Sequence, residues 1–270
     1  MFRSLFELQQ SHYILEVMRI IIELKNTQDQ SDVSLDYHKL QGFVYSVIKN
    51  TFPGIHEKKG YKPFSYSNIF PYSNTQAEQI RKLIIATPGK SLGGNIFETL
   101  KEMQGNIIHI GDGEYELSKV KQMEIKPSPS NFTLLTDTPI IIRIPERNYD
   151  KYNIANIERK KGYIYWRPSI SFEAFAKQLT ENLVKKYNDF YGTELEQELL
   201  FERYFYQRMI HSRMVIKGKS YGFAASMWRF EWQKLTNTQE KVLEFAIDAG
   251  FGERNSMGFG FVSPVLKSKK

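Results

Sequence analysis

The sequence predicts an α+β fold made of two tandem ferredoxin-like (RRM-like) units, each a βαββαβ succession, and three observations predict it. The first half reads strand, helix, strand, strand, helix, strand, the order of the split βαβ motif. The second half repeats that succession without obvious sequence identity. The 270 residues suffice for two domains that each bury a core. The divisions read from the chain are a leader over 1–17, a first unit over 18–125, a second over 126–265 and a basic tail over 266–270.

In the first unit, Ile14 to Leu24 is β-branched and strand-like after a polar leader, and Met18 is a candidate original start. Leu40, Phe43, Val44, Val47 and Ile48 recur at helical spacing, which predicts an amphipathic helix over 36–50, capped by Ser34 or Asp36 and ended near Phe52-Pro53-Gly54. A charged loop, Ile55 to Lys62, feeds an alternating strand from Phe64 to Phe70. A strand over Lys82 to Thr87, a helix over Ser91 to Met103 and a strand over Asn106 to Leu117 complete the unit.

In the second unit, Phe132 to Ile144 reads as strand material broken at Pro139, and Ser171 opens an amphipathic helix reaching Asn188. Gln207 to Lys217 and Ser220 to Trp232 flank Lys217-Gly218-Lys219, a hairpin signal. A helix over Asn237 to Ala249 delivers the chain into Gly250 to Gly260, and a last strand follows over Phe259 to Val265. Arg159-Lys160-Lys161-Gly162 is expected at a hairpin turn beside Tyr163, Tyr165 and Trp166. Basic residues interleaved with rings suit a nucleic-acid backbone and its bases, but the reading preferred from the residues is a solvated hairpin whose rings pack inward.

Composition narrows the function classes. Lys and Arg number 37 against 30 Asp and Glu, a net +7, which suits a polyanionic partner. Three of those charges, Lys267, Lys269 and Lys270, lie in the tail. The chain has no cysteine, which excludes disulfides, iron–sulfur clusters and thiolate zinc. The five histidines, His12, His38, His56, His109 and His211, include no pair at the spacing of a helical metal site, so no metal or other cofactor is expected. No apolar run is long enough to span a membrane and no signal-peptide pattern opens the chain, so a cytoplasmic protein with no membrane association is expected.

Gly250-Phe-Gly-Glu-Arg-Asn-Ser-Met-Gly-Phe-Gly260 carries four glycines in two Gly-Phe-Gly clusters. Glycine tolerates positive φ and bares its amide, so such a loop can lie close to a polyanion or form a hairpin anchored by its two Phe. Its spacing matches neither the dinucleotide fingerprint nor the P-loop. Gly250, Gly252, Gly258 and Gly260 are the positions where backbone would approach such a polyanion, with Arg254, Asn255 and Ser256 offering donors to phosphates or base edges. Arg254 has the alternative of pairing with neighbouring Glu253 or another carboxylate.

Three stretches in order resemble the CRISPR-associated protein six family: the helix His38-Lys-Leu-Gln-Gly-Phe-Val-Tyr45, the loop and strand His56-Glu-Lys-Lys-Gly-Tyr-Lys62-Pro-Phe-Ser-Tyr-Ser, and Gly250 to Gly260. Leu134 to Ile144 resembles the segment that opens the family's second domain, and the resemblance covers residues 18–265. It implies two ferredoxin-like domains and metal-independent cleavage of CRISPR precursor RNA within its repeat, with repeat RNA as partner. It implies a catalytic set of Tyr45, His56 and Lys62, with His38 as a rival histidine because members of the family differ here. His38, Lys39, Lys160 and Lys161 extend the expected RNA surface. Histidine can move a proton near neutrality, lysine can neutralise charge at the reacting phosphate, and a tyrosine hydroxyl both donates and accepts. Membership of a CRISPR effector complex and a homodimer are further expectations. A non-catalytic RNA-binding subunit of such a complex is the alternative, and a nucleotide-dependent enzyme is a third, weaker one.

Overall fold

The computed structural model describes residues 18–29, 37–55, 57, 60–71, 76–196, 198–216 and 219–265. The leader, the helix-cap candidates Ser34 and Asp36, Lys217-Gly218 and the basic tail lie outside them.

Strand β1 (Met18–Asn26) alternates so that Ile20, Ile22 and Leu24 are fully buried. Helix α1 (Tyr37–Thr51) lays Leu40, Val44, Val47 and Ile48 into the same core. The unit continues through β2 (Ser65–Tyr66), β3 (Ile80–Thr87), α2 (Lys90–Glu102), β4 (Ile107–Ile110) and β5 (Gly113–Met123). Its antiparallel sheet runs β2-β3-β1-β5-β4. With β5 as the closing strand this is the ferredoxin-like order, and β4 is an added edge strand.

Two expectations for this unit need correction. The single strand expected over Asn106 to Leu117 is a hairpin, because Gly111 takes φ +66 and the chain reverses at Gly111-Asp112. The strand expected from Phe64 to Phe70 pairs regularly over only two residues. Beyond them the Ser67 hydroxyl, in place of a backbone carbonyl, accepts the Ile84 N–H at 2.9 Å, and the ladder is interrupted.

The second unit comprises β6 (Ser130–Thr136), α3 (Phe172–Tyr191), β9 (Arg203–Ile216), β10 (Lys219–Lys234), α4 (Asn237–Ala249) and β11 (Val262–Pro264). Its sheet order β11-β6-β10-β9 is again ferredoxin-like, with every neighbour antiparallel. Thr236 caps α4 in a reciprocal capping box with Gln239. Gly192 closes α3 in the left-handed region at φ 65.

Between β6 and α3, β7 (Arg143–Pro145) pairs with β8 (Tyr163–Tyr165) as a separate two-stranded sheet. The basic run Arg159 to Gly162 is therefore not the tip of a tight hairpin. It closes a longer excursion containing two short 3-10 turns, where the Tyr149 hydroxyl donates to the Lys160 carbonyl at 2.8 Å. β6 stops at Thr136, and Ile140 and Ile141 beyond Pro139 make isolated bridges to Ser226 and Glu253.

Each unit has its own core, and a small third cluster of Ile141, Phe223, Ala225 and Phe259 lies under the Gly250 to Gly260 loop. No helix among the described residues is long and apolar enough to cross a membrane.

Candidate active site and glycine loop

Tyr45 lies on the inward face of α1, its ring edge-on to Phe64 at 5.6 Å between centroids. The Lys62 ammonium donates to the Tyr45 hydroxyl at 3.1 Å and stands 5.0 Å from the centre of its ring. Helix α1 and the run into β2 thus bring together two residues that are 17 positions apart. His56 lies outside the described residues. His38 is exposed one turn before Gln41 on α1. Lys39 is held by Asp112 of the β4–β5 turn, at 2.8 and 2.9 Å, so its ammonium is committed within the first unit. Lys160 and Lys161 are exposed.

The glycine loop folds back on itself around buried side chains. Asn255, only 4% exposed, donates from Nδ2 to the carbonyls of Phe251 and Phe259, each at 3.0 Å. Its Oδ1 accepts from Lys186 of α3 at 2.6 Å, and the same ammonium donates to the carbonyls of Gly250 at 2.9 Å and Gly252. The Asn255 amide, expected to face RNA, is thereby spent inside the loop.

Gly250, Gly252 and Gly260 have φ of +87, +66 and +72, and a Cβ on Gly260 would stand 1.9 Å from the Phe251 carbonyl oxygen. These glycines let the loop close; the room they leave is filled by protein. Gly258, at φ 92, ends the 3-10 turn Asn255–Met257. The Ser256 carbonyl accepts from Gln41 at 3.2 Å, seating the loop against the helix that carries Tyr45.

Glu253 does not take Arg254. Its carboxylate holds the guanidinium of Arg143 on β7, which also stacks over Tyr163 at 4.7 Å. Arg254 adopts φ 59, lies 5.0 Å over the Phe223 ring and forms no ion pair among the described residues. Its buried Nε has no hydrogen-bond partner. A cation held on a ring beside a closed loop is suited to an incoming phosphate.

Electrostatics sets Lys186 apart. Full burial lowers its ammonium to about 7, with the Glu253 charge opposing the shift. Hydrogen bonding from Tyr165 and from Arg143 holds the Tyr163 hydroxyl below the usual phenol range, while burial pushes Tyr165 up to about 12.

Residues 120–264, more than half of the chain, match the family model described as CRISPR associated protein Cas6, C-terminal. The chain belongs to the Cas6 family. A protein of Methanocaldococcus jannaschii named CRISPR-associated endoribonuclease Cas6 2 is 25% identical over 260 residues, covering 92% of this chain and all (100%) of that protein. A Haloferax mediterranei protein named CRISPR-associated endoribonuclease Cas6 is 26% identical over 262 residues, covering 93% and 95% of the two chains. Among solved structures, one titled CRISPR associated protein Cas6 superposes with a TM-score of 0.68 at 24% identity, over 93% of this chain and 100% of that one. A Cas6-related protein from Pyrococcus furiosus superposes with a TM-score of 0.67 at 19% identity, over 94% and 100%. At those identities the superpositions establish the shared fold of two ferredoxin-like units.

Within this Cas6 family chain, Lys186, Gln41, Arg143 and Tyr61 join these contacts without being among the residues expected from the sequence. Lys186 had a signal: it falls on the apolar stripe of α3 with Leu179 and Leu183, where a lysine needs buried acceptors. The other three carried none, since their partners lie far away in the chain.

Proposed function

We propose that the protein is a metal-independent endoribonuclease that cuts CRISPR precursor RNA within its repeat and so releases guide RNA. Its units divide in the 124–129 segment between β5 and β6, as two domains over 18–125 and 126–265. The observation that carries the reading is the Lys62–Tyr45 contact on the same helix that seats the glycine loop. Relatives matched over nearly their whole length are named endoribonucleases.

In this reaction the 2′-hydroxyl attacks the adjacent phosphorus and the bond to the 5′-oxygen breaks, leaving a 2′,3′-cyclic phosphate and a 5′-hydroxyl. One proton leaves the 2′-oxygen and one reaches the departing 5′-oxygen. His56 serves one of these transfers, as base or as acid. Lys62 offsets charge growing on the non-bridging oxygens, and Tyr45 fixes the ammonium in place. The Arg254 guanidinium holds a neighbouring phosphate. Cytoplasmic action, a homodimer and docking into a CRISPR effector complex are further parts of the proposal.

The test is cleavage of end-labelled RNA from the repeat of the encoding genome, in excess EDTA. A single cut bearing a cyclic phosphate is expected, slowed by about 10² to 10⁴ in His56→Ala. Loss only in His38→Ala would move the proton transfer to His38. Tight binding by the parent protein with no cutting would establish a non-catalytic RNA-binding subunit instead.

A further inference from the structure

Tyr61 departs from the unit in which it lies. It sits between Gly60, at φ +87, and Lys62, in the run that enters β2 of the first sheet. Yet its ring packs with the second unit's core, edge-on to Phe245 of α4 at 6.2 Å. The Lys186 ammonium stands 5.3 Å from the centre of that ring. The Tyr61 hydroxyl is buried with no hydrogen-bond partner, so the ring and not the hydroxyl makes the attachment.

Lys186 therefore has two sets of neighbours. On one side are the carbonyls of Gly250 and Gly252 and the Asn255 amide oxygen, which set the shape of the glycine loop. On the other is the ring of Tyr61, whose next residue puts its ammonium on Tyr45. One buried lysine thus joins the glycine loop of one domain to the Tyr45–Lys62 segment of the other. A buried amino group with three oxygen neighbours and a ring face leaves little room for either segment to shift alone.

We infer that Lys186 and Tyr61 form a positioning pair that fixes the Tyr45–Lys62 segment relative to the glycine loop, so that RNA held by one presents its phosphate to the other. The Lys186 side chain and the Tyr61 hydroxyl are both buried, so the pair acts through the two segments it joins. The inference rests on the endoribonuclease reading. It predicts a division of effects: the Tyr61 ring acts on the reaction step, and Lys186 acts on both RNA binding and reaction.

The experiment measures repeat-RNA affinity and single-turnover cleavage at saturating protein for the full chain and for Tyr61→Phe, Tyr61→Leu, Lys186→Met and Tyr61→Leu/Lys186→Met. Thermal unfolding of each confirms that the folded species is being assayed. Tyr61→Phe keeps the ring and should cleave like the parent. Tyr61→Leu should lose about 10- to 100-fold in rate, with affinity within about threefold of the parent. Lys186→Met should lose about tenfold in affinity and also slow the reaction. In the double variant the rate should fall no further than in the slower single, because both changes break one link.

Multiplicative losses in the double variant, or folded single variants that bind and cut like the parent at lowered melting temperature, would reduce the pair to packing and overturn the inference. Failure of the parent protein itself to cut would overturn the reaction reading and the inference with it, whereas parental cutting with unaffected variants would overturn the inference alone.

Discussion

Arg19 Nε donates to Asp248 Oδ1 at 3.0 Å, with both side chains completely buried between the two ferredoxin-like units. The remaining guanidinium nitrogens reach the carbonyls of Ile247 at 2.9 Å and Val262 at 2.7 Å and the Ser263 hydroxyl at 3.3 Å. β1 of the first unit is thus tied to both α4 and β11 of the second, the two elements that flank the glycine loop. Burial pushes the Asp248 carboxyl up to about 6, against the pull of Arg19.

Replacing Arg19 with leucine should cost about 3 to 5 kcal/mol, the range for removing one partner of a buried ion pair. Denaturant unfolding measures it. A loss below about 1 kcal/mol would mean that water enters the interface and takes over the role of Arg19.

Lys186 gives stability a defined pH dependence. Its ammonium falls from 10.5 in the unfolded chain to about 7 in the folded one. Below pH 7 both states carry the proton and the burial cost is fully present. Between about pH 7 and 10.5 the unfolded chain binds a proton that the folded chain has released, so this contribution rises with pH by up to about 1.4 kcal/mol per unit. Unfolding free energies of the parent protein minus those of Lys186→Met should show that rise, and a flat difference would contradict it.

Two glycines should respond in opposite ways to alanine. Gly42 lies on the exposed side of α1 with nothing within 4 Å of a Cβ, so Gly42→Ala should stabilise by about 0.5 to 1 kcal/mol. Gly260→Ala would put its Cβ 1.9 Å from the Phe251 carbonyl oxygen at positive φ, and should both destabilise the fold and weaken RNA binding. Melting temperatures and filter binding read the two.

Arg254 and Lys39 should separate in the salt dependence of RNA binding. Each phosphate contact to a single strand contributes about 0.7 to the slope of log affinity against log salt. Arg254→Ala should lower the slope by about that amount. Lys39→Ala should change it much less, because Asp112 already takes that ammonium.

Tyr45→Phe removes the hydroxyl that accepts from Lys62 while keeping the ring against Phe64. Cleavage should slow by about ten- to a hundredfold with the fold intact, which single-turnover kinetics and thermal unfolding measure together.

Helix periodicity in 36–50, the Pro139 break, the Ser171 helix start and the clustered glycines of 250–260 were all legible in the sequence, because each depends on residues close together in the chain. The repeated element order also determined the architecture: once a split βαβ unit is repeated, few topologies remain. The β4–β5 turn went unread in the expected strand over Asn106 to Leu117, although Gly111-Asp112-Gly113 carries residues that such a turn uses. Only the tertiary structure decided which polar residues face inward. Asn255 sits in a stretch as polar as any binding loop, yet its amide closes that loop. Lys39 is exposed in the first turn of α1, yet Asp112, far away in sequence, pairs with it. Tyr61 lies in one unit and packs in the other, above a lysine that the helix pattern alone would place in a core. Such pairings depend on how two sheets and their helices dock, and docking brings together groups whose separation along the chain carries no local signal.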